Sequence, residues 1–495
     1  MLPLVKIIVT LGPSCQSEEK IQSLAQKGAD IFRFNLKHNT LDWHKKRINL
    51  VRRISKKLQK PIGILADIEG GELRTGKFGV ENSLALKEGE TVVFSEKDRK
   101  DVFKVIPVPE IERILNLPKN QKIFIDDGKF EFRIKKLEKN KAYAKVISGG
   151  VLKERKTINL PDFSPKLASN FRQNLPVLEF CLDLKVDFIA LSFVRQKSEI
   201  LEYKKFFQNQ KLQSSRAAAK GKEENLFSSP WIISKIETKE AIENLDEIFE
   251  VSDGVIVARG DLGVEIPLEK VPLYQKIITK KCLLEGKPVI VATHLLESMV
   301  ENRRPTRAEI SDVANALYDL SDGLLLSAET AGGKYPDLAV TTLRKIANFI
   351  EKQKPENLSL PFKIKTQTEA ICYGAFHLYK SEFCQRQNVK AFVVLSRKGT
   401  TARALARLRP YLPIFVFVDN KPLVEKLTMI FGVYPFYLKF KNIYQRKGVG
   451  EIKRILNFLK KKTFLKKGDK IILIYGEDWG TIPGRTSIVR VQEVV

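Results

Sequence analysis

The sequence lacks the usual marks of an exported, membrane-spanning or repetitive chain. Its five cysteines (Cys15, Cys181, Cys282, Cys372 and Cys384) are scattered, odd in number and form no CxxC pair. That pattern excludes a zinc site of the usual spacing, argues against a disulfide frame and fits reduced thiols in a cytosol, so a cytoplasmic location is expected. No apolar run approaches the roughly 18 residues of a membrane span, and no membrane partner is expected. The opening Met1-Leu-Pro-Leu-Val-Lys-Ile-Ile-Val carries Lys6 inside its apolar run and no small-residue cleavage site. It reads as a first strand, not as a leader. Internal repeats and heptad arrays are absent, as are aromatic platforms of the kind that bind nucleic acid, so no specific nucleic-acid partner is expected.

What is present is a chain of 495 residues, enough for about three domains and at least one large core. Hydrophobic residues make up 43% and charged residues 29%, which excludes a largely disordered or fibrous chain. The 86 Lys and Arg against 58 Asp and Glu give a net charge of +28. Such a chain attracts polyanions, but a lysine-rich composition serving solubility has the same signature. The charge is spread out, densest over 441–470, where Lys460-Lys461-Lys462 and Lys466-Lys467 punctuate an amphipathic stretch. Charge alone decides nothing.

Short β-branched runs recur at Val5–Thr10, Ile31–Asn35, Ile62–Asp67, Phe188–Phe193, Ile232–Ile236, Val255–Ala258, Val289–Ala292 and Leu324–Ser327. Amphipathic helical patterns lie between most of them, as at Ser17–Lys27, Trp43–Gln59 and Val271–Glu285. Near-continuous apolar strands alternating with helices predict a parallel sheet, and eight units predict a (β/α)8 TIM barrel. Thr306 and Glu309 predict a capping box opening a helix over Arg307–Leu317. From Gly71 to about Pro161 the pattern changes to period-two alternation, with hairpin signals at Asp127-Gly128 and Lys139-Asn140. The expected fold is therefore α/β: a barrel over 1–70 and 161–353, a small β domain over 71–160 inserted after strand 3, and a C-terminal α/β domain over 354–495. Within the last, a helix is expected at 364–385 and another at 400–408, with strands at Ala391–Leu395, Ile414–Val418, 471–475 and 487–494. The lysine- and serine-rich stretch 208–229 reads as a flexible surface loop.

In such a barrel the active site lies at the C-terminal ends of the strands. Those ends carry Arg33 and Asn35, Asp67, Ser192 and Arg195, Lys235 and Glu237, Arg259 and Asp261, Thr293 and His294, and Ser327 and Glu329. A purely structural barrel needs only caps and turn formers there, so this ring of cations and carboxylates points to a highly charged ligand. Lys235 and Glu237 are two apart on one strand and face the same side. Alone they fit a structural ion pair equally well. With Asp261 they supply a second carboxylate, and two carboxylates plus substrate oxygens and water are how proteins hold Mg²⁺. A carboxylate-held metal, a fixed ammonium and guanidinium groups are what phosphoryl transfer requires.

Several long motifs resemble those of the pyruvate kinase family: Lys6-Ile-Ile-Val-Thr-Leu-Gly-Pro-Ser14, Glu72-Leu-Arg-Thr-Gly76, Ser192-Phe-Val-Arg195, Ile233-Ser-Lys-Ile-Glu237, the stretch from Ser252 to Glu265, Gly286-Lys-Pro-Val-Ile, the stretch from Arg304 to Ala316, and Leu326-Ser-Ala-Glu-Thr-Ala331. The resemblance implies Mg²⁺- or Mn²⁺-dependent transfer of phosphoryl from phosphoenolpyruvate to ADP. It implies that Lys235 stabilises the migrating phosphoryl group, that Glu237 and Asp261 hold the metal, and that Gly260, Asp261 and Thr293 receive the substrate carboxylate. Thr293 also lies where the enolate is protonated. Arg33 is implied to contact the phosphoryl group, Arg74, Lys156 and His38 the phosphoryl group or nucleotide, and Ser327 and Glu329 to support the site or relay a proton. The inserted domain would be a lid that excludes water. A homotetramer is implied as well.

Two segments depart from the family pattern. Where it has Arg-x-Asn-Phe-Ser-His-Gly, this chain has Arg33-Phe-Asn35-Leu-Lys37-His38-Asn39. Where it has Asp-Thr-Lys-Gly-Pro-Glu, this chain has Asp67-Ile68-Glu69-Gly-Gly-Glu72. Asn35 and Asp67 of the K⁺ ligand set remain, while the Ser and Thr positions are Lys37 and Ile68. Either the Lys37 ammonium replaces the ion, or K⁺ binding persists in altered form, or Lys37 turns outward. Thr293-His294-Leu295 stands where the family has Thr-Gln-Met, and His294 reads as a packing neighbour more than a proton donor. In the C-terminal domain Ser396-Arg-Lys-Gly-Thr-Thr-Ala-Arg403, with Trp479-Gly-Thr-Ile-Pro-Gly484, resembles the family's effector site, implying a sugar-phosphate or nucleotide effector. A competing reading is a weakened pyruvate-kinase-like protein that binds polyanions through its basic surface; the intact Lys235, Glu237, Asp261, Arg33 and Thr293 weigh against it. A metal-dependent aldolase or lyase on the same barrel would leave Arg74 and Lys156 without a role.

Overall fold

A computed structural model of the chain describes residues 2–78, 82–97, 102–126, 128–161, 170–219, 228–355, 360–439, 448–476 and 486–494. Among them, eight parallel strands close a barrel: β1 (Lys6–Thr10), β2 (Ala29–Asn35), β3 (Gly63–Ile68), β4 (Phe188–Leu191), β5 (Trp231–Ile236), β6 (Gly254–Ala258), β7 (Val289–Ala292) and β8 (Gly323–Leu326). All eight match the expected runs to within a few residues. Their sequences are almost wholly apolar because both faces are covered. Ile8, Ile31, Leu65, Ile233, Ile256 and Ile290 fill the interior, while the alternate residues pack outward against the helices. The register levels the strand ends, setting Asn35 opposite Asp67 and Asp67 opposite Ala190.

The seam between β1 and β8 is reinforced by side chains. Thr10 N–H donates to Thr330 Oγ1 at 3.0 Å, and Thr330 Oγ1 donates back to Thr10 O at 2.9 Å. Thr10 Oγ1 donates to Leu326 O at 2.8 Å. Residues at the two ends of the barrel sequence are thus joined at its mouth.

The helices that bear on the site follow local sequence closely. They are α1 (Glu18–Gln26), α2 (Leu41–Leu58), α3 (Lys197–Ala219), α4 (Arg259–Glu265), α5 (Val271–Glu285) and α6 (Arg307–Tyr318). Helix α6 opens on the expected capping box, with Thr306 and Glu309 bonded reciprocally. The expected loop at 208–229 is corrected: α3 runs on through Ala219. Leu212, Gln213, Arg216 and three alanines are good helix formers and propagate the helix whatever their polarity. Residues 220–227 lie outside the described residues.

Between β3 and β4 the chain forms an antiparallel-rich sheet ordered Leu73–Arg74, Thr157–Asn159, Lys122–Ile125, Phe130–Glu138, Lys141–Ser148, Thr91–Ser95 and Lys104–Pro107. The hairpin expected at Lys139-Asn140 is there; Asp127 of the other lies outside the described residues. Beyond 360, a five-stranded sheet is ordered β11 (Val433–Tyr437), β10 (Ile414–Val418), β9 (Val389–Leu395), β12 (Lys470–Tyr475) and β13 (Ile488–Glu493), with only the last strand antiparallel among those described. The single helix expected over 364–385 is two, Gln367–Lys380 and Glu382–Arg386. Ser381 leaves helical geometry at ψ 150° to cap the second through Cys384 N–H. The helix expected at 400–408 ends at Ala406. The 479–484 segment lies outside the described residues. Among the described residues no helix is long and apolar enough to cross a membrane.

Candidate active site

The strand ends deliver four charged side chains to one buried cluster. Asp67, fully buried at the end of β3, receives Arg33 Nε at 2.8 Å and Nη2 at 2.7 Å from β2. Its other oxygen accepts Ser192 Oγ–H at 3.0 Å. Lys235 Nζ, from β5, lies 3.5 Å from Asp67 and 2.7 Å from Glu237 Oε1, and donates to Ser192 Oγ at 3.0 Å. Burial works against the Lys235 charge, but Asp67 and Glu237 outweigh it and hold the ammonium above the ordinary lysine range. Burial likewise opposes ionisation of Asp67, and there Lys235 and Arg33 prevail, holding the carboxyl well below its usual range. Glu237 is the exception. Burial, reinforced by the like charge of Asp261 on α4, pushes its carboxyl up to about 7 against the pull of Lys235.

Glu237 also answers whether these residues suit a divalent cation. Its Oε2 accepts Phe193 N–H at 2.6 Å, while Oε1 is buried against the Lys235 ammonium at 2.7 Å. The like charges of Glu237 and Asp261 repel, and a cation shared between them would relieve that cost. Asp261 sits on the first turn of α4, not at a strand end as expected, and is an electrostatic neighbour of both Glu237 and Lys235. Among the described residues no three His, Cys, Asp or Glu gather as a closed metal cage. A cation that keeps water and substrate oxygens needs only one or two carboxylates, so the pair fits.

Thr293 and His294 follow β7 with φ of 67° and 53°, a left-handed pair that costs of order 1–3 kcal/mol per residue. The turn brings Thr293 Oγ1 to 2.7 Å from Gly260 N–H, and the hydroxyl donates to Ala292 O at 2.6 Å. The chain therefore joins Gly260, Asp261 and Thr293 at one spot on the mouth. Arg259 turns away from the cluster, donating to Thr293 O and pairing with Asp312.

The loop after β2 carries the departures. Lys37 turns inward: its side chain is 10% exposed and its Nζ is 2.8 Å from Glu72 Oε1, which removes the outward option. Glu72 is shared with Arg74 Nη2 at 3.1 Å, and Arg74 Nη1 donates to Arg155 O. Glu72 falls within a family motif, yet no sequence pattern assigns it a role; its one signal is that of an acidic residue close to Arg74. Asn35 Oδ1 accepts Lys37 N–H at 3.3 Å. Burial, together with Arg74, Lys37 and Arg33, holds the His38 imidazole below its ordinary value. Lys156 lies beside the inserted sheet and pairs with Asp126 at 2.8 Å. Glu329 is buried and accepts the N–H groups of Leu296 and Ser327 at 3.2 and 2.8 Å, so it braces the end of β8.

Two comparisons with known proteins bear on this geometry. Residues 2–340 match the family described as pyruvate kinase, barrel domain, and residues 369–492 the one described as pyruvate kinase, alpha/beta domain. The chain is 36% identical over 432 residues to a pyruvate kinase of Staphylococcus epidermidis (strain ATCC 35984), covering 87% of this chain and 71% of that one. It is 36% identical over 436 residues to a pyruvate kinase of Staphylococcus aureus (strain MRSA252), covering 88% and 72%. Matched along nearly its whole length, with the barrel closed and its charged mouth assembled, the chain belongs to the pyruvate kinase family.

Proposed function

We propose that this chain transfers the phosphoryl group of phosphoenolpyruvate to ADP, giving pyruvate and ATP, with Mg²⁺ or Mn²⁺ held by Glu237 and Asp261. The observation that carries this reading is the convergence of Arg33, Asp67, Lys235 and Glu237 in one buried cluster at the barrel mouth. A bound dication would neutralise charge on phosphate and enolate oxygens. The chain's own residues do the remainder. Lys235, kept charged by two carboxylates, stabilises negative charge on the migrating group. Arg33, fixed by Asp67 and by Thr10 Oγ1 at 2.9 Å, presents a preset guanidinium to the same group. The backbone at Gly260–Asp261 receives the substrate carboxylate, with the Asp261 N–H as donor while the Gly260 N–H holds the Thr293 hydroxyl. That hydroxyl orients the substrate and relays a proton from water toward the enolate carbon. Ser327 supports that end of the site. Arg74, Lys156 and His38 serve the nucleotide, with 71–160 as a lid over a barrel of 1–70 and 161–353.

Lys37 stands in for K⁺ in this reading. Its support is an ammonium already seated beside Glu72 and over the Phe193 ring at 5.6 Å. We also assign a sugar-phosphate or nucleotide effector to the turn at Ser396–Arg403, within a C-terminal unit of 354–495; Ser396 Oγ accepting Gly399 N–H at 3.1 Å supports an ordered turn there. Five buried free cysteines accord with a cytoplasmic setting.

The test is pyruvate formation from phosphoenolpyruvate, ADP and Mg²⁺ by purified protein, with Lys235→Met as control, in K⁺-free buffer and then with added KCl. Turnover that needs Mg²⁺ and Lys235 is expected, with less than a few-fold gain from KCl. No turnover under any of these conditions sinks the assignment. A large activation by KCl sinks the role given to Lys37 alone.

A further inference from the structure

We infer that Arg259 and Asp312 form a clamp that positions Thr293, holding its strained turn so that the hydroxyl stays against Gly260; this rests on the reading of Thr293 as a substrate-side residue. A β-branched residue at positive φ is a genuine outlier, and here a second non-glycine residue follows it in the same region. Such a conformation persists only where its surroundings over-determine it. Both carbonyls of the turn point toward one guanidinium: Arg259 Nη2 donates to Thr293 O at 2.7 Å and to His294 O at 3.3 Å. Its Nη1 donates to Asp312 Oδ1 at 2.7 Å and to Gln275 Oε1 at 3.4 Å.

The anchor points are rigid. Asp312 stands on α6, whose first turn is fixed by the Thr306–Glu309 capping box. Gln275 stands on α5 and donates to Asp319, just past the end of α6, at 2.8 Å. The Arg259 side chain is 10% exposed and that of Asp312 35%, so water competes weakly for the guanidinium. On its other side the turn packs over Gly260, where an added Cβ would meet Thr293 Oγ1 and His294 Cε1 at an ordinary contact distance of 3.4 Å. Arg259 touches no reacting atom in this arrangement. It acts through Thr293, and Asp312 acts through Arg259.

An ion pair that merely glues α4 to α6 would use the same contacts, so the test must read coupling. Arg259→Lys, Asp312→Asn and Asp312→Glu are made singly and in a Thr293→Ala background, with kcat and KM for phosphoenolpyruvate and thermal midpoints measured for each. Arg259→Lys and Asp312→Asn should each lower kcat/KM about ten-fold in the native background, the scale of one charge-assisted hydrogen bond. In the Thr293→Ala background they should cost less than about two-fold, because nothing remains to position. Asp312→Glu should restore part of the loss. Near-native kcat/KM in the clamp variants, or equal losses in both backgrounds, overturns the inference. If Thr293→Ala itself retains full activity, the role of Thr293 falls first and the clamp's purpose with it. Should Arg259→Lys fail to fold, the near-isosteric Asp312→Asn decides.

Discussion

At the scale of single residues, the site turns on charges kept ionised in a place that disfavours them. Lys235 and Asp67 each lose by burial and gain more from one another and their neighbours. The pH consequences have opposite signs. A depressed carboxyl contributes stability above its unfolded value of about 3.9, lost as pH falls toward the folded value. A raised ammonium contributes below about 10.4, lost as pH rises beyond it. Between those limits the pair is fully formed. Replacing Lys235 by Met leaves Glu237 buried without the ammonium that pairs with it, and Asp67 with Arg33 as its remaining ion-pair partner among the described residues. We expect kcat to fall by at least about 10²–10³ and stability by about 3–5 kcal/mol, read by steady-state kinetics and denaturant unfolding. A variant within about tenfold of native kcat would remove Lys235 from the chemistry. The charged residue types at the strand ends were legible in sequence because a barrel fixes where its strands stop. The pairs Lys37–Glu72 and Arg259–Asp312 were not, since each joins separate elements whose meeting depends on loop paths.

At the scale of elements, the eight barrel strands were readable because burial on both faces demands apolar β-branched runs. Strand β11 escaped for the opposite reason. Its Val-Tyr-Pro-Phe-Tyr carries Pro435, which argues against a strand except at a sheet edge, and β11 is an edge strand. The helix before it, Lys421–Leu427, is short and carries Pro422 in its first turn, so its period is hard to see. Strand β1 is tied to β11 across the barrel floor: Lys6 Nζ donates to Val433 O at 2.7 Å and lies 4.8 Å over the Tyr434 ring. Burial lowers the Lys6 ammonium to about 8, with Arg344 and Lys60 adding to it and Asp30 opposing. Its folded value lies below the unfolded one, so between about pH 8 and 10.4 the unfolded chain binds more protons and stability rises with pH. The thermal midpoint of the native protein should therefore climb relative to Lys6→Met from about pH 8 to 10. A constant difference across that range would show that Lys6 is not the titrating group.

At the scale of the whole molecule, neighbouring helices α5 and α6 expose Leu273 and Ile277, and Ile310 and Tyr318, each pair on one helix face. These four residues are candidates for an interface in the homotetramer that the family resemblance implies. Leu273→Glu with Ile277→Glu should reduce the sedimenting species to a smaller oligomer while leaving the circular dichroism unchanged. A native assembly in that variant would move the interface elsewhere. The stitched junction of Thr10 with Thr330 has a bearing on biosynthesis. Thr10 Oγ1 is also the acceptor that fixes Arg33, and the bonds at that junction close over 320 residues of chain. A nascent polypeptide still lacking its eighth barrel strand on the ribosome holds Arg33, Asp67, Lys235 and Glu237 already translated, yet it cannot close the ring that aligns them. Competence for catalysis is thus expected to arrive in one late step, as the final turn of the cylinder clears the exit tunnel.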